Sequence, residues 1–189
     1  MHRLFVAIDM PQDICDQLTG LLGGLQGARW DAHDQLHLTL RFIGEVDSPT
    51  FHDIADALGA VEAEAFELSL SGVGHFPPRG KAKILWAGVT ASAALERLRD
   101  KTEAVLAGLG LERDNRKFAP HITLARFKNG APAGPLGNYL AEHSLFATKP
   151  FPVSEFRLYS SHLSSSGAIH TIEATYPLHG VPPNWQAVS

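Results

Sequence analysis

The apolar positions of this chain follow two periods, one typical of strands and the other typical of helices. Apolar runs or two-residue alternation predict strands at residues 3–9, 36–43, 66–73, 83–89, 121–127, 152–162 and 169–178. Apolar residues three and four positions apart predict helices at residues 11–27, 48–60, 91–109 and 136–143. Ser48 is expected to cap the second helix, with Pro49 as its first residue. The last two strands should pair as a hairpin across residues 164–167.

The order of these predicted elements repeats once, and the two halves share short sequences. Leu4-Phe-Val-Ala-Ile is followed 80 residues later by Ile84-Leu-Trp-Ala-Gly. His37-Leu-Thr-Leu is followed 84 residues later by His121-Ile-Thr-Leu, at the same place in the strand–helix–strand order. The second match indicates an internal duplication. It predicts two lobes related by a pseudo-twofold axis, which would bring equivalent residues face to face.

Each copy of the repeated motif places a histidine and a threonine on one face of a strand, because successive side chains point to opposite faces. His37 therefore lies beside Thr39, and His121 lies beside Thr123. One such strand would most simply be an edge strand with a half-exposed histidine, but two copies at matching places favour catalysis. Imidazoles exchange protons near neutral pH, so two of them can serve as acid and base in an in-line displacement at phosphorus. The threonine hydroxyls can hold the non-bridging oxygens.

Composition and charge narrow the class of protein. Hydrophobic residues make up 44% of the 189 residues and charged residues 19%, which predicts a globular protein with a buried core. The formal charge of −4 argues against binding to long duplexes, which needs a surplus of cations, but it leaves room for a small phosphate pocket. Cys15 is the only cysteine, so an intrachain disulfide is excluded and a cytoplasmic location is the simpler expectation. The first apolar run is interrupted at Asp9, which argues against a signal peptide, and no run approaches the roughly 18 apolar residues of a membrane span.

A two-histidine metal site is the main alternative to acid–base catalysis. It lacks a cysteine ligand, and no third histidine or carboxylate lies at a ligand spacing on the two motif strands. Five further histidines stay open as additional ligands: His75, His143, His162, His170 and His179. The sequence therefore favours a metal-independent site.

Two longer stretches resemble the paired signatures of the two-histidine (2H) phosphoesterases. They are His37-Leu-Thr-Leu-Arg-Phe-Ile-Gly-Glu and Pro120-His-Ile-Thr-Leu-Ala-Arg. Within this group the chain is most similar to the RNA 2′,3′-cyclic phosphodiesterases, historically called 2′-5′ RNA ligases. Weaker stretches agree in the same order: Arg3-Leu-Phe-Val-Ala-Ile, Gly74-His-Phe-Pro, Trp86-Ala-Gly-Val and Leu158-Tyr-Ser-Ser. The resemblance covers nearly the whole chain.

This resemblance implies a fold, a reaction and a set of site residues. The fold is α+β and bilobal, with pseudo-twofold-related lobes at about residues 1–79 and 80–189, each an antiparallel sheet with helices, and with the active-site groove between them. The reaction is hydrolysis of 2′,3′-cyclic phosphate ends of RNA or nucleotides to 2′-phosphomonoesters, without a cofactor or metal ion. The two histidines and two threonines of the motifs map onto His37, Thr39, His121 and Thr123. By similarity, His37 is the proton donor and His121 the proton acceptor.

Three further residues near the motifs raise separate questions. Arg126 completes the second motif and is a candidate for phosphate binding. In an ideal strand it points away from His121, so a bulge or a strand end would have to redirect it; otherwise it is a surface or lobe-packing residue. Arg41 has the strand parity to face the groove, where the family usually differs. The stretch Gly167-Ala-Ile-His170 lacks a tyrosine that the resemblance leads us to expect, and His170 is a candidate to replace it.

Other functions remain open at this stage. A non-catalytic module that binds RNA ends or nucleotide phosphates would keep the groove and its phosphate donors, but it would not need both histidines. The reverse reaction, 2′-5′ RNA ligation, uses the same groups. The substrate could be a tRNA half, a short oligonucleotide, a cyclic nucleotide or a cyclic phosphate of the ADP-ribose type, and the oligomeric state is not indicated.

Overall fold

The computed structural model describes residues 1–185 and contains both strands and helices. The strands are β1 (His2–Asp9), β2 (Ala28–Trp30), β3 (His37–Val46), β4 (Phe66–Leu68), β5 (Leu70–Phe76), β6 (Ile84–Val89), β7 (His121–Phe127), β8 (Phe151–Val153), β9 (Glu155–Ser164) and β10 (Gly167–Pro177). The α-helices are α1 (Gln12–Thr19), α2 (Ser48–Leu58), α3 (Ala93–Gly108) and α4 (Ala133–Glu142). Short 3-10 turns lie at His33–Gln35 and Pro183–Trp185.

One large antiparallel sheet organises the fold. Its order is β10–β9–β1–β3–β7–β6–β5, and β2 pairs with β7 beside the start of β3. β4 and β8 form a separate two-stranded antiparallel sheet. β9 and β10 form the hairpin expected from the sequence. This mixed architecture with antiparallel sheets confirms the α+β class.

The two halves of the chain follow the same path through the sheet. The order β1–α1–β3–α2–β4–β5 in the first half corresponds to β6–α3–β7–α4–β8–β9 in the second. β3 pairs with β7 through Leu38 and Ile122, which are equivalent residues of the two motifs. β4 and β8, also equivalent, pair with each other. Antiparallel pairing of equivalent strands is the arrangement expected of an internal duplication, so the strand order supports that prediction.

The register of the strands corrects one of the two sequence matches. Ala7 pairs with Thr39 on β3, and Trp86 pairs with Thr123 on β7. Ala7 and Trp86 are therefore equivalent, which puts β1 and β6 in register at a separation of 79 residues (86 − 7), not the 80 of the sequence match. The separation of 84 between the two His-x-Thr motifs holds, because Leu38 pairs directly with Ile122.

Several predicted elements have different bounds in the structure. α1 ends at Thr19 instead of near Gly27, because Gly23, Gly24 and Gly27 adopt positive φ angles that no α-helix accommodates. The chain then enters β2, which the hydrophobic pattern did not predict. Asp47, not Ser48, caps α2, since its carboxylate accepts a hydrogen bond from the Thr50 N–H at 2.9 Å.

Two predicted strands are each divided between the two sheets. The stretch at 66–73 breaks at Ser69 into β4 and β5, and the stretch at 152–162 breaks at Ser154 into β8 and β9. In both halves the first piece joins the small sheet and the second piece joins the large one. A continuous alternation of apolar residues did not reveal these breaks.

The two faces of the large sheet differ in what they contact. On β1, Leu4, Val6 and Ile8 are fully buried in the hydrophobic core. The helices bury their apolar residues in the same core, including Ile14, Leu18, Ile54, Leu58, Leu95 and Leu98. The opposite face of β1 carries Phe5 and Asp9, and it is continuous with the face of β3 that carries His37, the partner of Asp9. Within residues 1–185, no helix is long and apolar enough to cross a membrane.

Candidate active site

The two His-x-Thr motifs lie on adjacent strands in the middle of the large sheet. His37 and Thr39 are half-buried on β3, with Leu38 fully buried between them. On β7 the second motif has the same pattern, with half-buried histidine and threonine side chains on either side of a fully buried Ile122. The histidine and threonine of each motif therefore share one face of the sheet.

Both histidine rings are held by a carbonyl two residues earlier in the chain. Nδ1 of His37 lies 2.6 Å from the carbonyl oxygen of Gln35, and Nδ1 of His121 lies 2.8 Å from that of Ala119. A carbonyl oxygen only accepts hydrogen bonds, so each neutral ring carries its proton on Nδ1. Each Nε2 is left with a lone pair that can take a proton, or with a proton to give once the ring is charged.

Aromatic rings enclose His37. Phe5 stacks against it with ring centroids 5.0 Å apart, and the ring of Tyr159 lies 6.3 Å away. His170 meets it edge-on at 5.6 Å. Burial lowers the pKa of His37 to about 4, and the nearby His170 and Arg126 act in the same direction. His37 is therefore neutral in the free protein at neutral pH.

Hydrogen bonds between β9 and Asp9 of β1 position the aromatic ring of Tyr159 near His37. The hydroxyl of Tyr159 donates to one carboxylate oxygen of Asp9 at 2.5 Å, and Arg157 donates to the other at 2.6 Å. Tyr159 also stacks on Phe5 with its ring nearly parallel, at 9°. Asp9 thus holds Tyr159, whose ring stacks on Phe5 beside His37.

His121 has a corresponding but less enclosed environment. Phe76 packs edge-on against it with centroids 4.9 Å apart, and Phe76 in turn contacts Trp86 at 5.4 Å. Burial lowers the pKa of His121, and the charge of Arg126 adds to that effect. Phe5, Phe76 and Tyr159 thus all pack around the two histidines.

A β-bulge on β7 redirects Arg126. Trp86 pairs with Thr123 and Leu85 with Ala125, so Leu124 is an extra residue on β7. Beyond it the alternation reverses, and Arg126 is exposed between two buried neighbours. The arginine thereby returns to the face that carries His121 and Thr123, as the sequence argument required. Its positive charge lowers the pKa of His37, His121 and His170, which places it near all three rings.

A matching bulge on β3 turns Arg41 away from the site. Ala7 pairs with Thr39 and Val6 with Arg41, which makes Leu40 the extra residue. Arg41 instead forms an ion pair with the buried Glu103, with Nε 3.0 Å from Oε1. The expectation that Arg41 faces the groove was therefore wrong, because simple strand parity does not hold across a bulge.

Phe42 takes the position on β3 that Arg126 occupies on β7. It is 44% exposed and pairs directly with Phe5. The guanidinium of Arg3 lies 5.2 Å from the centre of its ring. The two halves thus present different groups at this position, an arginine in the second and an aromatic ring in the first.

The remaining histidines lie in different surroundings. In the described part of the chain, no group of three or more histidine, cysteine or carboxylate side chains is arranged to hold a metal ion. His170 lies against His37, whereas His75 contacts the carbonyl of Pro77 and His143 packs on Tyr139.

Gln35 and Ala119 contribute to the site in a way that the sequence analysis missed. They act through their backbone carbonyls, and a carbonyl carries no side-chain signal. Each carbonyl belongs to the residue two positions before a histidine, which is visible in the sequence. Only the structure shows that these carbonyls accept the Nδ1 protons.

Comparison with known proteins identifies the class of protein to which this fold and site belong. A family model described as the 2′-5′ RNA ligase superfamily matches residues 10–164. An RNA 2′,3′-cyclic phosphodiesterase of Aeropyrum pernix is 36% identical over 138 residues, which is 72% of this chain and 78% of that protein. A protein of the same description from Archaeoglobus fulgidus is 32% identical over 171 residues, which is 89% of this chain and 96% of that protein.

Solved structures agree with this class. A Thermus thermophilus protein superposes with a TM-score of 0.78 at 28% identity, covering 94% of this chain and 98% of that one. Escherichia coli LigT in complex with 3′-AMP superposes with a TM-score of 0.77 at 27% identity, covering 95% and 99% of the two chains. The chain belongs to the 2′-5′ RNA ligase superfamily, as the paired motifs led us to expect.

Proposed function

We propose that this protein hydrolyses 2′,3′-cyclic phosphate ends of RNA or nucleotides to 2′-phosphomonoesters, with His37 and His121 as its acid–base pair. The observation that carries the proposal is that the two histidines make matching hydrogen bonds. Each ring donates its Nδ1 proton to a carbonyl two residues earlier, and each keeps Nε2 for chemistry. The names of the related proteins supply the substrate class.

The proposed reaction is an in-line displacement at phosphorus. Nε2 of His121 takes a proton from water as the water oxygen bonds to phosphorus. The bond between phosphorus and O3′ breaks, and Nε2 of His37 gives its proton to O3′. The products are a 2′-phosphomonoester and a free 3′ hydroxyl. A groove between the two halves would hold the phosphorus between the two rings.

Three more side chains are proposed to bind the phosphate. The hydroxyls of Thr39 and Thr123 lie on the same face as the histidines and can donate to the non-bridging oxygens. Arg126 faces the same side beyond its bulge and supplies positive charge. Charge builds on those oxygens in the transition state, so these donors lower the barrier more than they tighten ground-state binding.

The assignment of His37 as acid and His121 as base follows from similarity alone. The burial of His37 determines in which state of the protein it can carry the proton that an acid needs. A pKa of about 4 keeps His37 neutral in the free protein at pH 7. His37 can therefore act as the acid only in the complex, where the negative phosphate beside Nε2 favours the charged ring. His121, whose pKa is also lowered by burial, is already in the neutral form that a base requires.

The remaining features of the proposal concern partners and location. The proposed mechanism needs no metal ion and no cofactor, because proton transfer and charge neutralisation both fall to named side chains. The partner would be an RNA end or a cyclic nucleotide, not an extended duplex, since the net charge is −4. A cytoplasmic location is in keeping with the one buried and unpaired cysteine, Cys15.

Two other activities would use the same residues. Reverse 2′-5′ ligation follows from microscopic reversibility. A binding module without turnover would not need two histidines held alike, which is why hydrolysis is preferred. The test is incubation with 2′,3′-cyclic AMP and with an oligonucleotide that ends in a cyclic phosphate, with products identified by phosphorus NMR. A 2′-phosphate supports the proposal, a dominant 3′-phosphate contradicts the assigned branch, and binding without turnover supports the module.

A further inference from the structure

His170 lies in the site, on the side of His37. It pairs with Ser161 on β9. Ser161 lies two residues after Tyr159 and so shares its face of the sheet, which means that the side chain of His170 points to the face that carries Tyr159. Its ring meets Phe5 edge-on at 5.0 Å and His37 at 5.6 Å. Among residues 1–185, β10 has no equivalent strand in the other half, and neither does the short β2. No histidine ring corresponding to His170 therefore packs against His121.

The two nitrogens of His170 differ in their surroundings. Nδ1 is enclosed by the protein and has no hydrogen-bond partner within the described residues, whereas Nε2 is not enclosed. A buried N–H without an acceptor costs more than a buried lone pair, so the neutral ring should carry its proton on Nε2. This is the opposite tautomer to those of His37 and His121. His170 consequently presents an N–H donor where the other two rings present lone pairs.

Gln35 connects His170 to His37. Its carbonyl oxygen accepts the Nδ1 proton of His37 at 2.6 Å, and its side-chain amide donates to the carbonyl of Ala168 at 2.6 Å. Ala168 belongs to the start of β10, two residues before His170. The hairpin that carries His170 is thus hydrogen-bonded to Gln35, the residue that orients His37. This contact fixes the positions of the two rings relative to each other.

We propose that His170 is a third substrate-contacting residue, whose Nε2–H donates a hydrogen bond to a phosphate oxygen beside His37. The proposal rests on the proposed function, because it takes the phosphate of that same site as the ligand. It also makes the two sides of the site different, whereas the duplicated motifs alone would make them alike. One side of the phosphorus meets one histidine, and the other side meets two.

The role requires a proton on Nε2, which both the neutral Nε2–H tautomer and the charged ring supply. Burial and the charge of Arg126 lower the pKa of His170, while Asp34 opposes them. In the free protein the ring is therefore mainly neutral at pH 7, and it can donate its Nε2 proton to a phosphate oxygen without being charged first. His37 and Arg126 are the other groups that face it, and an anionic ligand would lie among all three.

The test compares three variants in the hydrolysis of 2′,3′-cyclic AMP. His170→Ala should lower kcat/KM by roughly 10- to 100-fold, the loss expected for a hydrogen bond to a charged group. His170→Gln, whose amide N–H can replace Nε2–H, should recover most of that loss. His162→Ala is the matched control, because His162 is exposed on the opposite face of the same hairpin, and it should behave as the wild type.

Nitrogen-15 NMR of labelled histidines separates contact from packing. His170 should show the Nε2–H tautomer in the free protein, while His37 and His121 show Nδ1–H. Addition of the product 2′-AMP should shift the His170 resonance. The proposal is overturned if His170→Ala matches His162→Ala in kcat/KM, or if His170 proves to be the Nδ1–H tautomer, or if glutamine is no better than alanine. A wild-type protein that neither hydrolyses the cyclic phosphate nor binds 2′-AMP would instead reject the proposed function, and this proposal with it.

Discussion

Leu40 and Leu124 are equivalent residues, and each is the extra position of a β-bulge beside a His-x-Thr motif. The two bulges reverse the strand alternation at the same distance from His37 and His121. As a result, Phe42 and Arg126 return to the face of the histidines, and Arg41 leaves it. The same bulge in both halves therefore places one proposed phosphate-binding residue, Arg126, on the face of the histidines and removes another candidate, Arg41.

Replacement of Arg126 by alanine should weaken phosphate binding. Its positive charge lowers the pKa of all three site histidines, and hydrogen bonds to charged groups contribute about 1.5–3 kcal/mol. The dissociation constant of 2′-AMP should rise, and kcat/KM for 2′,3′-cyclic AMP should fall, chiefly through kcat. Arg113→Ala removes an exposed arginine in the loop before β7 and serves as the control. Equal kinetics for the two variants would return Arg126 to an ordinary surface role.

Replacement of Arg41 should destabilise the fold and spare the chemistry. Arg41→Met leaves the carboxylate of Glu103, which is 3% exposed, without its partner at 3.0 Å. Loss of one member of a buried ion pair costs about 3–5 kcal/mol, and the low end is expected here because Arg99 stays 3.9 Å away. Urea unfolding gives the loss, and kcat/KM at low temperature should stay near that of the wild type. A stable but inactive variant would place Arg41 in the active site after all.

His37 should make the folded protein less stable in acid. Its pKa is about 4 in the folded state and about 6.5 in an unfolded chain, so between these values the unfolded state binds the extra proton. The stability is therefore fully present above pH 6.5 and is lost as the pH falls towards 4, by on the order of 3 kcal/mol. Urea unfolding at pH 7 and pH 4.5 should show a smaller acid loss for His37→Gln than for the wild type or for His162→Gln. Equal losses in all three proteins would mean that His37 titrates like an exposed histidine.

Hydrolysis should not require a metal ion. The named side chains account for both proton transfers, and within residues 1–185 no group of three or more histidine, cysteine or carboxylate side chains is arranged to hold a metal ion. Activity after exhaustive EDTA treatment and dialysis should equal that of the untreated protein. Loss of activity that Zn²⁺ or Mn²⁺ restores would replace the acid–base account with a metal-centred one.

Much of the fold follows from residue periodicity, because strands and helices differ in their spacing of apolar residues. The bounds of β7 were predicted to the residue, and the β9–β10 hairpin was placed by its serine and glycine turn. The breaks at Ser69 and Ser154 were missed, since an alternating pattern does not say to which sheet a residue belongs. β2 was missed because three residues give too short a pattern.

The sequence predicted the parts of the site that depend on the type of side chain. It did not predict the parts that depend on the local path of the backbone. The paired motifs identified His37 and His121 because the repeat put the same residue types in equivalent places. Arg41 was misplaced because a bulge cannot be read from residue type. The supporting carbonyl of Gln35 could not be found either, since every residue has one.

The central claim is that His37 and His121 act together in one displacement. General acid and general base catalysis each contribute about 10²–10⁴-fold, so His37→Ala and His121→Ala should each lower the rate on 2′,3′-cyclic AMP by a factor in that range. Both variants should fold normally, because neither ring is part of the hydrophobic core. Groups that serve the same step are strongly non-additive, so the double variant should be little worse than the poorer single one.

The most direct measurement is therefore the pH dependence of kcat/KM for the wild type and the two single variants. The wild type should give a bell-shaped profile, because one ring must be neutral and the other protonated, and its two limbs belong to the pair. Each alanine variant should lose one limb. Loss of the acidic limb in His121→Ala and of the basic limb in His37→Ala would establish His121 as the base and His37 as the acid. A folded His37→Ala protein that keeps the full bell and a near wild-type rate would contradict the two-histidine mechanism.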